Sequence, residues 1–206
     1  MDQQEKWNIR YRERGDSGLL EPSGILVEEL EGVAPGSVLE LAAGDGRNAL
    51  YLARKGWDVT AVDFSPVAVE RGRRFARKAG VEIRWETADL TVYEPRDAAY
   101  DWVIIFYLHL GGRRFPPILR RAARAVTPGG TLLVVGHHLK NLEEGGHGPR
   151  DPRALYTREA IIAELEGFHV VRSDVVRHAH DHAGAEDTQV DCVVAARRTG
   201  GGISGP

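Results

Sequence analysis

Cysteine is all but missing from this sequence, with Cys192 the sole example in 206 residues. One thiol closes no internal disulfide and fills no four-cysteine zinc site, which excludes a secreted disulfide framework and fits a cytoplasmic protein. Long hydrophobic runs are lacking as well. No apolar stretch approaches the roughly twenty residues that cross a bilayer. The polar opening Met1-Asp2-Gln3-Gln4-Glu5-Lys6-Trp7 has no signal-peptide core, so no membrane partner is expected. Nor is there an excess of either charge. Against 30 Asp and Glu stand 27 Lys and Arg, a net charge of -3, which leaves no basic field to gather nucleic acid. What remains is an ordinary globular composition, 42% hydrophobic and 28% charged, at a length that suits one domain.

Short runs of Val, Ile and Leu alternate with stretches of helical period, the pattern of strands and helices taking turns around a mostly parallel sheet. Ser37 to Leu41 reads as the first strand and is followed by the loop Ala42-Ala43-Gly44-Asp45-Gly46 and a helix from Arg47 to about Lys55. Asp58 to Val62 is the second strand. Ser65 then caps a helix that begins at Pro66 and stops near Gly80. Val81 to Thr87 and the apolar run Tyr100 to Leu108 are strands, and a helix opens at Pro116-Pro117 and reaches about Val126. Thr127-Pro128-Gly129-Gly130 reads as a turn before the strand Thr131 to Val135, and His137 to Arg153 as a long loop. A helix from Thr157 to Leu165 precedes two antiparallel strands, Phe168 to Val176 and Val190 to Ala196, joined by a polar link from His178 to Thr188. The expected fold is α/β, a Rossmann-like doubly wound seven-stranded sheet, mostly parallel with an antiparallel last strand. Residues 1–198 make one domain, 1–30 its N-terminal helical lid, and 199–206 a glycine-rich tail.

A strand that ends in a glycine turn and enters a helix lets backbone N–H groups approach a ligand, because glycine puts no side chain in the way. Asp63, ending the second strand, stands where a carboxylate accepts hydrogen bonds from the two hydroxyls of an adenosine ribose. By themselves Gly44-x-Gly46-x-x-Ala49 and Asp63 fit a dinucleotide as well as S-adenosylmethionine. Glu40, just before the loop, favours the second: its charge would oppose a pyrophosphate and suits an ammonium and a sulfonium. Asp89 is placed to accept from an adenine amino group, with Leu90 and Phe64 packing on the ring.

With these residues on the page the sequence resembles the class I S-adenosylmethionine-dependent methyltransferases. The resemblance is carried in order by Val38-Leu39-Glu40-Leu41-Ala42-Ala43-Gly44-Asp45-Gly46, Val59-Thr60-Ala61-Val62-Asp63, Ala88-Asp89-Leu90, Asp101-Trp102-Val103-Ile104-Ile105 and Thr127-Pro128-Gly129-Gly130. The stretch Gly46-Arg47-Asn48-Ala49-Leu50-Tyr51-Leu52-Ala53 looks like the tellurite-resistance (TehB-like) and thiopurine methyltransferase-like branch, which acts on small molecules. Ala42 departs from the glycine common at its place, and Ala43 from a frequent cysteine. The resemblance implies S-adenosylmethionine as cofactor, with contacts at Glu40, Ala42, Gly44, Gly46, Arg47, Asp63, Phe64, Ser65, Asp89, Leu90 and Phe106. It also implies an N-terminal element bearing Trp7, Arg10 and Tyr11 that folds over the cofactor.

Methyl transfer is an in-line displacement that needs an acceptor held in place and water kept out. The acceptor is expected to be a small molecule, with thiol, selenium and tellurium species among those allowed. A phenol or amine would call for a base, and His109, after the fourth strand, is the first candidate. His137, His138 and His147 lie in the long loop. His178-x-His180-x-His182 has the period of one strand face, but no metal is assigned to it. The basic run Arg71, Arg73, Arg74, Arg77 and Lys78 reads as a solvated helix face. The alternative to an enzyme is a non-catalytic protein that binds the cofactor or sequesters metal.

Overall fold

The computed structural model describes residues 2–14, 21–144, 148–182 and 185–200, with backbone alone for 179–182 and 185–187. Seven strands form a mixed sheet in the order β3-β2-β1-β4-β5-β7-β6. The chain divides into two compact units, Met1–Tyr93 and Glu94–Pro206.

In the first unit, α1 (Gln3–Glu13) and α2 (Gly24–Glu29) precede β1 (Ser37–Leu41), α3 (Arg47–Arg54), β2 (Asp58–Asp63), α4 (Pro66–Ala79) and β3 (Arg84–Thr87). β1 pairs with β2 and β2 with β3, both in parallel. Val38, Leu39, Val59, Ala61 and Val62 are buried, as befits strands covered on both faces. The boundaries of α4 follow its caps: the Ser65 hydroxyl accepts the Ala68 N–H, Pro66 takes the first turn, and Gly80 ends the helix at a left-handed φ of 68°. Arg71 departs from the expected solvated face. It is 4% exposed on the inner side of α4, where its Nε reaches Asp45 Oδ2 at 3.3 Å.

In the second unit, β4 (Tyr100–Phe106), α5 (Phe115–Ala125) and β5 (Val126–His137) lead through α6 (Asn141–Glu144) and α7 (Arg158–Ile162) to the hairpin strands β6 (Phe168–His182) and β7 (Ala185–Arg198). β4 and β5 are parallel; β7 runs antiparallel to both β5 and β6. Three expectations are corrected here. The expected turn Thr127–Gly130 is an outward step within β5: Tyr100 pairs with Val126 and Trp102 with Thr131, and Gly129 takes a φ of 81°. Glycine is also required at 130, where a Cβ would stand 2.6 Å from the Asp101 carbonyl oxygen. The expected long loop begins later, because β5 continues to His137. The chain beyond it stays bonded, His138 N–H to Val190 O at 2.8 Å and Tyr156 N–H to His137 O at 2.9 Å. Most of the expected polar link belongs to the ladder, with His178 opposite Gln189 and His180 opposite Asp187. Residues 145–147, with His147, and the tail 201–206 lie outside the described residues, as do the side chains of His180 and His182.

Candidate functional site

The site of the first unit is built where β1 gives way to α3. Three of its loop residues hold left-handed backbone: Ala42 at φ 61°, Gly44 at 59° and Gly46 at 87°. Gly44 and Gly46 must have no side chain. A Cβ on Gly44 would stand 2.5 Å from the Tyr11 hydroxyl, and one on Gly46 would stand 2.4 Å from the Trp85 ring. Ala42 pays the left-handed penalty without that relief, at the position where the resemblance leads one to expect glycine.

Asp63 holds the loop in shape. Its Oδ2 accepts the Gly44 N–H at 2.8 Å and its Oδ1 the Ser65 N–H at 2.9 Å, and it is nearly fully buried. Burial pushes this carboxyl above the usual carboxylate range while the two N–H groups pull it back. Two oxygens with about four acceptor directions still leave room for a ribose. Ser65 spends its hydroxyl on the structure: besides capping α4, it donates to Asn8 Oδ1 at 2.6 Å.

Glu40 is the unusual member. It is 2% exposed, and Oε1 accepts Asn48 Nδ2 at 3.0 Å, while Oε2 has no hydrogen-bond partner among the described residues. Burial raises the carboxyl to about 7, against the opposing pull of Asn48, the Arg47 charge and the Ala49 N–H. Asn48 is held in turn, its Oδ1 accepting the Ser23 N–H at 2.9 Å. A buried carboxylate with an unsatisfied oxygen is costly by itself and matched by a cation.

The N-terminal helix lies on this loop. Tyr11 meets Gly44, Gln4 Nε2 donates to Phe64 O at 2.6 Å, and Arg14 stands 3.7 Å from Asp45, which also holds Arg71. Trp7 and Tyr11 rings pack 5.9 Å apart. Burial, then the charges of Asp63 and Asp45, raise the Tyr11 phenol well above its ordinary value, so it stays protonated. Leu90 is buried, Phe64 and Arg47 are half-buried, and Asp89 is exposed with Oδ1 bound to the Thr91 N–H and hydroxyl. The sequence reading missed Asn8, Asn48 and the Asp45–Arg71 pair; for Asn8, Asn48 and Arg71 the signal was a polar residue at a helical position that otherwise carries an apolar one.

The second unit holds its own polar cluster. His109, expected as the base, has both ring nitrogens engaged: Nδ1 with Ala154 O at 2.7 Å and Nε2 with the His137 N–H at 3.4 Å. Burial lowers it to about 4. Its ring stacks on His137, centroids 4.9 Å apart and planes 9° from parallel. His137 Nδ1 lies 3.2 Å from Asp191 Oδ1, and Asp191 is fully buried in β7. Asp191 Oδ2 accepts the Tyr107 hydroxyl at 2.7 Å and Gln189 Nε2 at 2.8 Å, with His178 Nε2 at 3.6 Å. Burial raises the Asp191 carboxyl, but the nearby His137 imidazole, which makes no aligned hydrogen bond to Oδ1, and the bonds from Tyr107 and Gln189 outweigh it and bring it below its ordinary value. Asp191 was visible in the sequence as an acid interrupting an apolar strand. His138 is buried apart from this cluster, its Nδ1 accepting the Lys140 N–H at 3.1 Å. Phe106 is buried at the end of β4.

Residues 38–130 match the family described as a methyltransferase domain. Among curated proteins the chain is similar to demethylmenaquinone methyltransferase of Thermus thermophilus, 34% identical over 104 residues, 50% of this chain and 47% of that protein. It is also similar to ribosomal RNA small subunit methyltransferase B of Thermus thermophilus, 29% identical over 158 residues, 76% of this chain and 39% of that protein. The chain thus spans less than half the length of either. Among solved structures it is similar to TehB from Haemophilus influenzae, with a TM-score of 0.72 at 18% identity, covering 94% of this chain and 67% of that one. At that identity the likeness is one of fold. Fold and loop agree with the family match, which takes in 93 of the 206 residues. S-adenosylmethionine is the cofactor that the residues of this loop fit. Glu40 Oε2 is free for a cation and Asp63 retains acceptor capacity.

Proposed function

We propose that the protein transfers a methyl group from S-adenosylmethionine to a small-molecule acceptor, with residues 1–198 as the working domain. The observation that carries this reading is the buried Glu40 carboxylate with one oxygen unpaired, next to the left-handed loop that Asp63 holds. The cofactor supplies an activated methyl on a positively charged sulfur. In this reading Glu40 takes the cationic amino-acid end, Asp63 the ribose hydroxyls, and Gly44 and Gly46 let the backbone approach. Asp89, Leu90 and Phe64 serve the adenine, and Arg47, Ala42, Ser65 and Phe106 complete or support the contacts. The helix bearing Trp7 and Tyr11 shuts out water. That Tyr11, Gln4 and Arg14 already bind the loop and its neighbours supports the covering role. The tellurite-resistance and thiopurine methyltransferase-like branch remains part of this proposal, supported by the motif around Arg47 and by the fold shared with TehB.

Calorimetric titration tests the cofactor half: S-adenosylmethionine binds in preference to NADH, and Asp63→Ala weakens binding about tenfold or more through loss of a charge-assisted hydrogen bond. Preference for NADH overturns the reading. The acceptor half is tested by transfer of labelled methyl to thiol, selenium, tellurium, phenol and amine acceptors, with and without a chelator. A ribosomal RNA fragment belongs in the panel because one relative is named for that substrate. Cofactor binding without transfer to any acceptor would leave a binding protein.

A further inference from the structure

The first unit holds a cavity that the cofactor reading does not use. Its volume is about 470 Å3, and it lies between α4 and the beginnings of β2 and β3. Val59 lines it four residues before Asp63, about 13 Å back along β2, so the cavity belongs to the other end of the strands from the Asp63 loop. Alternation along the strands sorts its walls. The Trp85 ring rests on Gly72 of α4, and Val59 and Ile83 share that face of the sheet; with Ala76 and Val81 they make an apolar floor. Arg84 turns to the opposite face, where it donates to Thr60 Oγ1 at 2.8 Å and stands 3.4 Å from Asp58. Glu82, in the segment before β3, is exposed at the margin. Over the floor the charges are Arg73 and Arg77, one turn apart on α4. Neither is fully committed. Arg73 gives one N–H to the Trp85 carbonyl oxygen at 3.1 Å, and the Arg77–Glu70 pair at 3.2 Å is more than half exposed on both sides, which makes it weak and exchangeable. Two guanidiniums above an apolar floor fit a carboxylate or phosphate joined to an apolar body. Trp85 also reaches beyond the cavity. Its ring packs on Gly46 as well as on Gly72, and a Cβ added to either glycine would overlap it. The indole N–H has no hydrogen-bond partner among the described residues, so packing alone sets the place of the ring.

We propose that this cavity is a regulatory site for a small organic anion, a carboxylate or phosphate ester with an apolar body, and that Trp85 carries its occupancy to the Gly46 loop. The anion draws the guanidiniums of Arg73 and Arg77 onto itself while its body covers the floor. Arg73 then leaves the Trp85 carbonyl oxygen, and β3 is released to adjust together with the ring it holds. β3 is free to do so because it is the edge strand of the sheet, paired with β2 alone. Gly46 meets the ring directly, so a shift of Trp85 is felt where α3 begins. That the loop takes S-adenosylmethionine rests on the reading above; the anion site does not. By linkage, an anion that alters cofactor affinity has its own affinity altered by the same factor.

The test is calorimetric titration of the full chain, without cofactor, using phenyl phosphate as the probe and inorganic phosphate and benzyl alcohol as its two halves. Phenyl phosphate is expected to bind one-to-one and about tenfold or more tighter than inorganic phosphate, with no binding of benzyl alcohol. Arg73→Gln and Arg77→Gln, both at exposed positions, should each weaken it about tenfold through loss of a charge-assisted bond and leave the melting temperature unchanged. The coupling is read from the Gly46 amide resonance of isotope-labelled protein, which should shift as phenyl phosphate saturates the native chain and stay in place in Arg73→Gln at the same concentration. The absence of phenyl phosphate binding, inorganic phosphate bound as tightly, or undiminished binding in both arginine variants overturns the site. A Gly46 resonance unmoved at saturation overturns the coupling. With no cofactor present, either failure is distinct from a failure of S-adenosylmethionine to bind.

Discussion

The loop from Ala42 to Gly46 shows how single residues set the terms of the site. Ala42 occupies left-handed backbone at φ 61°, where an L side chain is unfavourable by roughly 1–2 kcal/mol. Ala42→Gly should therefore raise stability by about 0.5–1 kcal/mol after the entropy that glycine adds to the unfolded chain. A differential melting measurement checks it, and a lower melting temperature would show that the alanine methyl packs usefully. Glu40 depends on its neighbour in the opposite way. Asn48 supplies a hydrogen bond to a carboxylate that burial otherwise keeps protonated near neutrality. Asn48→Ala should raise the Glu40 carboxyl further and weaken binding of the cationic cofactor, measurable by titration at two pH values. Cys192 is fully buried, and burial pushes its thiol up to about 12. A thiol reagent should leave the native protein unmodified and react only on unfolding.

At the scale of elements, α1 and α4 meet through one hydroxyl. Ser65 caps α4 by accepting the Ala68 N–H and binds α1 by donating to Asn8, while its own N–H supports Asp63. Ser65→Ala keeps only the last of these. The expected loss is about 1–2 kcal/mol in chemical denaturation, the usual cost of a cap, with weaker cofactor binding as α1 loses its anchor. Asn8→Ala should reproduce the binding loss with less of the stability loss, because the cap survives. In the second unit the elements that departed from expectation did so for one reason. β5 reaches His137 and the β6–β7 ladder reaches His182 because paired backbone stabilises polar sequence that local composition alone assigns to loops. Only by that extension does β5 bring His137 opposite Asp191 of β7, its partner in the register.

For the molecule taken whole, the buried Glu40 couples folding to pH and, in its proposed role, cofactor binding as well. Its carboxyl titrates near 7 when folded and near 4.5 when unfolded, so between these values the folded state holds the extra proton. Stability without cofactor should then fall as pH rises from about 4.5 to 7, by up to roughly 3 kcal/mol from this group. Cofactor affinity should move the other way, rising with pH as Glu40 ionises to meet the ammonium. Denaturation and titration across that range measure both slopes, and Glu40→Gln should flatten them. A cofactor that binds the folded state alone stabilises it in proportion to the logarithm of its concentration. The pH at which bound protein is most stable should therefore lie above that of the free protein.

Much of this was written in the sequence, since local chemistry suffices for it. Alternating apolar runs define seven strands, Ser65, Pro66 and Gly80 bound a helix within a residue, and Gly44, Gly46, Glu40 and Asp63 mark the candidate cofactor loop by type and spacing. What tertiary structure decided are matters of partnership between distant residues. Arg71 reads as a surface cation until Asp45 is found beside it. His109 reads as a free base until Ala154 and the His137 N–H occupy its ring, and His137 reads as loop filler until Asp191, 54 residues later, lies 3.2 Å away. Hydrogen-bond capacity is local to a residue, but whether it is spent depends on neighbours that only the packed fold supplies.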